Sequence, residues 1–232
     1  MHKKYFEKIE KIFNFKSNNE EVNRILSRGF CYSEFQSKKL LFVGINPSYL
    51  PDAKIESHHY CVEDALKEYK KYFGKFEELA KGTKYENDWT YIDLFFFRET
   101  EQKKIQNLLN NDIDFIVNQL RLTNEIINEI NPEIIVVCNS SSSSFFGINK
   151  NNDENIWLGY NFTFDNEYCA EVITSLDNNS IIEDKNKIEN LIGTPVLFSS
   201  ILTYQDTHSK KRLNWIIKRV GENITNLKKK YA

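Results

Sequence analysis

The sequence predicts an α/β protein, a three-layer α/β/α sandwich around a central four-stranded, mainly parallel sheet. Three observations predict it. Four short runs are apolar throughout instead of alternating, which marks parallel strands covered on both faces. Amphipathic stretches of helical period lie between the first three runs, and another follows the last. Each run stops on small or polar residues, where an open α/β sheet receives its ligand.

The elements follow in order. Residues 2–14 place Tyr5, Ile9, Ile12 and Phe13 on one helical face, and a second short helix is expected at residues 21–26. Residues 1–37 thus form an N-terminal helical segment. Residues 40–43, "LLFV", are the first strand. Residues 62–80 form one helix, because Val62, Leu66, Tyr69, Phe73, Phe76 and Ala80 recur at spacings of four and three. "WTYIDLFFF", residues 89–97, reads as a buried strand. Residues 113–130 form a helix through Ile116, Val117, Leu120, Ile127 and Ile130, stopped by Pro132. "IIVVC", residues 134–138, is the third strand, and "PVLF", residues 195–198, the fourth. Between them, residues 149–193 are rich in Asn and Asp and read as an insertion at one edge, with strand-like pieces "NFTF" and "AEVIT". Residues 208–230 form the last helix, with Leu213, Ile216, Ile217, Val220, Ile224 and Leu227 inward. Residues 1–232 read as a single domain.

Hydrophobic residues at 41% and aromatics at 14% suffice for a core. The net charge of -2 excludes a global basic field, yet residues 209–232 carry eight Lys and Arg against one acid, Glu222. There is no 18-residue apolar run and no signal-peptide core, so no membrane is expected and the chain reads as cytoplasmic. Cys31, Cys61, Cys138 and Cys169 lie far apart and read as reduced thiols. "HHYC" offers His58, His59 and Cys61 without a fourth ligand, so no metal is expected. No cofactor is expected either, and a monomer is.

The turn after the first strand, "GINPS", is the most informative stretch. Gly44 allows a sharp turn or a close approach by a ligand. Pro47 stiffens the turn and holds Asn46 extended. An amide so held orients a water or a carbonyl but takes no proton; the alternative is an Asn that caps its own turn.

"GINPS" at the end of a buried strand resembles the first motif of the uracil-DNA glycosylase superfamily. The closest form is that of its mismatch-specific branch, Gly-Ile-Asn-Pro-Gly, with Ser48 in place of the last Gly. The resemblance covers about residues 38–220. "NPEIIVVCNSSSSSFF" is similar to the third strand and its helix, and "PVLFSSILTYQDTHSKKRLNWI" to the last strand, second motif and final helix. It implies a hydrolase that flips a damaged base such as uracil out of DNA and cleaves its N-glycosidic bond. It makes Asn46 the catalytic, water-positioning residue. Gly44, Ile45, Pro47, Ser48, Tyr49, Phe97, Arg98 and Asn139 become base-binding residues. Ser199, Ser200, Thr203, Tyr204, His208, Lys210 and Lys211 become DNA-phosphate contacts. Tyr49, Phe96 and Phe97 are candidates for an aromatic shelf, with core packing the alternative for both phenylalanines.

The second motif departs from the family's His-Pro-Ser, since Ser199, Ser200 and Ile201 stand there. The leaving-group donor is therefore missing, a loss on the order of a hundredfold or more in rate. A catalytically reduced module that binds nucleic acid or nucleotide on the same fold is the second reading. Five further expectations follow. Ser140–Ser144 cap a helix or touch phosphate. Arg98 binds phosphate or pairs with Glu99, and Asp93 needs a partner or a sheet edge. Trp215, opposite the apolar stripe of the last helix, either stacks on nucleic acid or is covered by the N-terminal helices, and burial is expected. An Asn46→Asp change is expected to keep or raise activity.

Overall fold

The structure is a computed structural model and describes residues 2–49, 58–101, 103–148 and 156–231. Helix α1 (His2–Phe13) is followed by α2 (Glu20–Leu26), which starts where the Asn19 side chain accepts from the Glu21 and Val22 amides. Two short strands, β1 (Tyr32–Ser33) and β3 (His59–Tyr60), pair in parallel around β2 (Leu40–Gly44) in the sequence. The helix expected over residues 62–80 is broken in two, α3 (Val62–Glu68) and α4 (Lys70–Ala80), at Tyr69 with φ -118° and ψ 44°.

Strand β4 (Trp89–Asp93) is shorter than the nine-residue run predicted. Beyond Asp93, helix α6 (Ile113–Ile130) takes over the backbone hydrogen bonds. Gln119 Oε1 accepts from the Phe96 amide at 2.9 Å, and the Thr123 hydroxyl donates to the Leu94 carbonyl at 2.8 Å. Buried backbone groups must be paired, and here polar side chains of a helix join the remaining backbone bonds from Leu94 and Phe95 to Gly44 and Ile45. Helix α5 (Lys103–Asn111) precedes α6, which ends at left-handed Asn131.

Strands β5 (Ile134–Val137), β6 (Tyr160–Asp165), β7 (Ala170–Leu176) and β8 (Pro195–Phe198) complete the main sheet. The four-residue α7 (Ser143–Phe146) follows β5, and α8 (Thr207–Tyr231) follows β8. The sheet has six strands in the order β4-β2-β5-β8-β7-β6, not four. The four predicted strands are its parallel part. The expected edge insertion supplies the other two, a hairpin joined antiparallel to β8. Residues 149–155 of that insertion lie outside the described residues.

Alternate side chains of the parallel strands feed two cores. Val43, Ile92 and Val137 face α1, α6 and α7, while Phe42, Tyr91, Val136 and Leu197 face α3, α4 and α8. The protein is therefore mixed α/β with helices and a mainly parallel central sheet. Among the described residues no helix is long and apolar enough to cross a membrane.

Candidate functional site

The strand order decides where the site sits. The chain leaves β2 for β4 on one side and leaves β5 for β8 on the other. The carboxyl ends of β2 and β5 therefore flank the switch point, where open sheets carry their crevice. The parallel ladders bring all four post-strand segments to this edge. Backbone bonds tie them together: Leu94 to Gly44, Phe95 to Ile45, Glu99 to Pro47, Cys138 to Val43 and Ser199 to Val137.

Asn46 is half-buried here, and its amide nitrogen is fully engaged. Nδ2 donates to the Glu99 carbonyl at 2.6 Å, to Pro47 at 2.9 Å and more weakly to Phe97 at 3.5 Å. All three partners are acceptors, so the orientation of the amide is fixed. Oδ1 accepts from no described residue. Around it the loops are locked. The buried Glu99 carboxylate accepts from Arg28 at 2.7 Å and from the Thr100 and Glu101 amides at 2.8 and 2.9 Å. Burial pushes its pKa up, but the Glu101 amide and the Arg28 guanidinium outweigh that and hold it below the ordinary value. Arg28 also stacks 4.2 Å over the Tyr49 ring. Tyr49 in turn exchanges hydrogen bonds with the Thr100 hydroxyl.

Gly44 lies in ordinary strand geometry, so turning is not why glycine stands there. Space is the reason. A Cβ at 44 would lie 2.0 Å from the Tyr91 hydroxyl and 2.4 Å from Asp93 Oδ1. Asp93 is the register partner of Gly44 at the end of β4. It is 5% exposed and accepts from the Tyr91 hydroxyl at 2.6 Å. Among the described residues Oδ2 has no hydrogen-bond partner and no cation pairs with the group. Burial lifts its pKa to about 7 against the opposing Tyr91 bond. Tyr72 of α4 reaches in, its hydroxyl 3.2 Å from that of Tyr91. Burial, and then the Asp93 charge, push Tyr72 and Tyr60 upward as well.

Several expected site residues are placed elsewhere. Phe97 is sealed in the core against Phe95 and Phe115, and Phe96 is buried too, so neither offers a shelf. The Ile45 side chain likewise joins the core on the α6 side. Pro47 is half-buried and Ser48 exposed. Arg98 forms no pair with Glu99, which Arg28 takes instead, and its buried Nε has no partner. Asn139 is buried and its Oδ1 caps the following turn at Ser141, so the cap stands one residue before the serine run.

In the second-motif loop, Gln205 Nε2 donates to the Ser199 hydroxyl and to the Ser200 hydroxyl and carbonyl. Asp206 caps the start of α8 through the Ser209 amide at 2.8 Å. His208, Lys211 and Thr203 are exposed, Lys210 is half-buried, and Tyr204 is 85% exposed. Trp215 corrects the expectation of burial: it is 55% exposed, with the Arg219 guanidinium 5.5 Å over its ring. His58 stacks on Phe30, His59 pairs with Glu34 and Cys61 bonds Asp64, so "HHYC" converges on nothing. A cavity of 420 Å³ opens between α1 and residues 29, 30 and 58.

The residues that sequence reasoning missed are Arg28, Tyr60, Tyr72 and Tyr91. Asp93 carried the only signal, a charge inside an apolar run, and its placement two residues from Tyr91 puts both on one face. No protein-family model and no curated protein matches the chain, so the argument for function stands on this geometry.

Proposed function

We propose that the chain is a DNA-base N-glycosylase-like hydrolase on a three-layer α/β/α sandwich, acting on a flipped damaged base such as uracil. One observation carries the reading. The Gly-Ile-Asn-Pro turn follows β2 at the topological switch point, bonded to the segment that follows β4. Asn46 then has a defined role. Its nitrogen is spent on three carbonyls, so its oxygen is what a water sees. It accepts one O–H and aims the water at the sugar, while the C1′–N bond loosens into an oxocarbenium-like state. An amide takes no proton, so the water's proton passes on to solvent.

DNA is the partner in this reading, met by Thr203, Tyr204, His208, Lys210 and Lys211 around the start of α8, with no cofactor and in the cytoplasm. The second reading, a binding module with reduced catalysis, draws support from the same loop. Its Ser199 and Ser200 hydroxyls are already held by Gln205, and no histidine replaces the missing donor.

The test is incubation with duplexes carrying uracil, xanthine or hypoxanthine, followed by alkali. Strand breaks that vanish in a folded Asn46→Ala variant are the expected result. Salt-sensitive binding without breaks selects the second reading, and neither breaks nor binding sinks both.

A further inference from the structure

Among the described residues three carboxylates are buried, and two of them have cations. Glu99 has Arg28 at 2.7 Å, and Asp165 has Lys230 at 2.7 Å. Asp93 has only a tyrosine hydroxyl. A buried charge without a counter-charge is costly, and the fold has no compensation for it among the described residues.

The Tyr91 ring that holds Asp93 sits among other aromatic rings. Tyr91 packs against Phe73 at 5.3 Å, Phe76 at 5.0 Å and Tyr72 at 6.2 Å between ring centroids. Tyr72 is 37% exposed, so this aromatic group reaches from the carboxyl to solvent. A carboxyl bonded to a tyrosine at the edge of an aromatic group offers an organic cation both a counter-charge and ring surface. The carboxyl also stands at the end of β4, directly across from Gly44 at the switch point.

We propose that Asp93 and its tyrosines form the inner wall of the base pocket and select a cationic, N-alkylated base. This rests on the glycosylase reading and narrows its substrate. The chemistry also accounts for the departure in the second motif. A neutral base leaves as an anion and needs a proton donor, which Ser199, Ser200 and Ile201 do not provide. A base alkylated on a ring nitrogen is already positive. When the C1′–N bond breaks, its electron pair moves onto the glycosidic nitrogen and cancels the positive charge delocalised over the ring, so a neutral base departs unaided. Water oxygen bonds to C1′ and releases one proton to solvent.

The carboxyl titrates in the neutral range, which makes the selection pH-dependent. The groups facing it are Tyr91 on β4, Tyr72 on α4, Tyr60 on β3 and the Cys31 thiol; all are pushed upward and stay neutral at pH 7. Cys138, at the end of β5, is raised by burial too. Arg98 acts on Cys31 from the other side.

The experiment measures base release from duplex DNA methylated to carry 7-methylguanine and 3-methyladenine, beside a uracil duplex. Binding of 7-methylguanosine against guanosine is read by fluorescence. Wild type should release the methylated bases and prefer the methylated nucleoside. Asp93→Asn should lose both on the order of a hundredfold. Tyr72→Ala, at a half-exposed ring, should weaken nucleoside binding in a protein whose melting shows it folded. Release of uracil but not of methylated bases overturns this inference and leaves the glycosylase reading standing. Asp93-dependent binding of 7-methylguanosine without release from any duplex does the reverse. Equal affinity for both nucleosides, or an Asp93→Asn variant that keeps the preference, overturns the selection outright.

Discussion

Two polar clusters stand at the same edge of the sheet, on residues two apart in the chain, and they differ in completeness. Around Asn46 most polar groups answer one another, amide to Glu99 carbonyl and Glu99 carboxylate to Arg28 and two backbone amides, with the Arg98 Nε left over. Around Gly44 the account stays open, with Asp93 holding one hydroxyl bond and no cation. Buried polar groups are normally satisfied, so a complete network is explained by the fold and an incomplete one points to a ligand. The difference teaches that the conspicuous motif residue need not be where recognition happens. Asn46 spends its nitrogen holding loops, while the carboxyl without a cation lies on a residue that the motif leaves out.

The largest effect should come from breaking the complete cluster. Arg28→Ala takes the 2.7 Å cation from buried Glu99 and leaves it Lys104 at 3.8 Å, a loss of about 3–5 kcal/mol. Urea unfolding at pH 7 measures it; a loss under about 1 kcal/mol would mean that the network is dispensable. The sign with pH follows from the depressed Glu99 pKa. Its contribution is present above the ordinary carboxylate range and disappears as pH falls through the folded value.

Asp93 should behave in the opposite sense. Its folded pKa, about 7, lies above the ordinary 3.8, so the native state holds a proton that the unfolded chain has lost. Wild-type stability should therefore fall as pH rises between those values, by up to about 4 kcal/mol. Asp93→Asn removes the titration and keeps the shape. Its melting temperature should match wild type near pH 4 and exceed it at pH 8; parallel curves across that range would show a carboxyl that is not buried as described.

Next in size is Asn46. Asn46→Ala deletes the donor to three carbonyls and should cost about 1–3 kcal/mol in thermal or urea unfolding. Asn46→Asp should be no better. A carboxylate oxygen would replace the nitrogen that faces the Glu99 and Pro47 carbonyls, reversing the gain expected from sequence. An Asp variant as stable and active as wild type would show that the amide is not the staple.

Much of the fold was legible because burial on two faces writes itself into single runs, as in "LLFV" and "IIVV". The hairpin was visible only as pieces, since "NFTF" and "AEVIT" do not say which edge they join. "FFF" misled because an apolar run reads the same whether its backbone bonds go to a strand or to Gln119 and Thr123 of a helix. At the site, Gly44 and Asn46 were found by motif, but their reasons were not. The approach of Asp93 to Gly44 depends on strand register, and the pairing of Glu99 with Arg28 spans 71 residues. Neither is local, so no window along the chain contains it.

The smallest effect on stability should come from outside both clusters, on the outer face of α8. Trp215 is 55% exposed and held only by Arg219 across its ring, so Trp215→Ala should change unfolding by less than about 0.5 kcal/mol. If that face meets DNA, the same change should weaken duplex or single-strand binding by about 1–3 kcal/mol, the worth of one stacked base. Lys211→Ala should act differently: weaker binding for every sequence, with a salt slope lower by about one. Neither substitution reaches Asn46 or Asp93, so release per bound duplex should stay at the wild-type rate in single-turnover measurements. A Trp215→Ala variant that binds normally would confine DNA contact to the strand-end loops and leave this helix face as ordinary solvated surface.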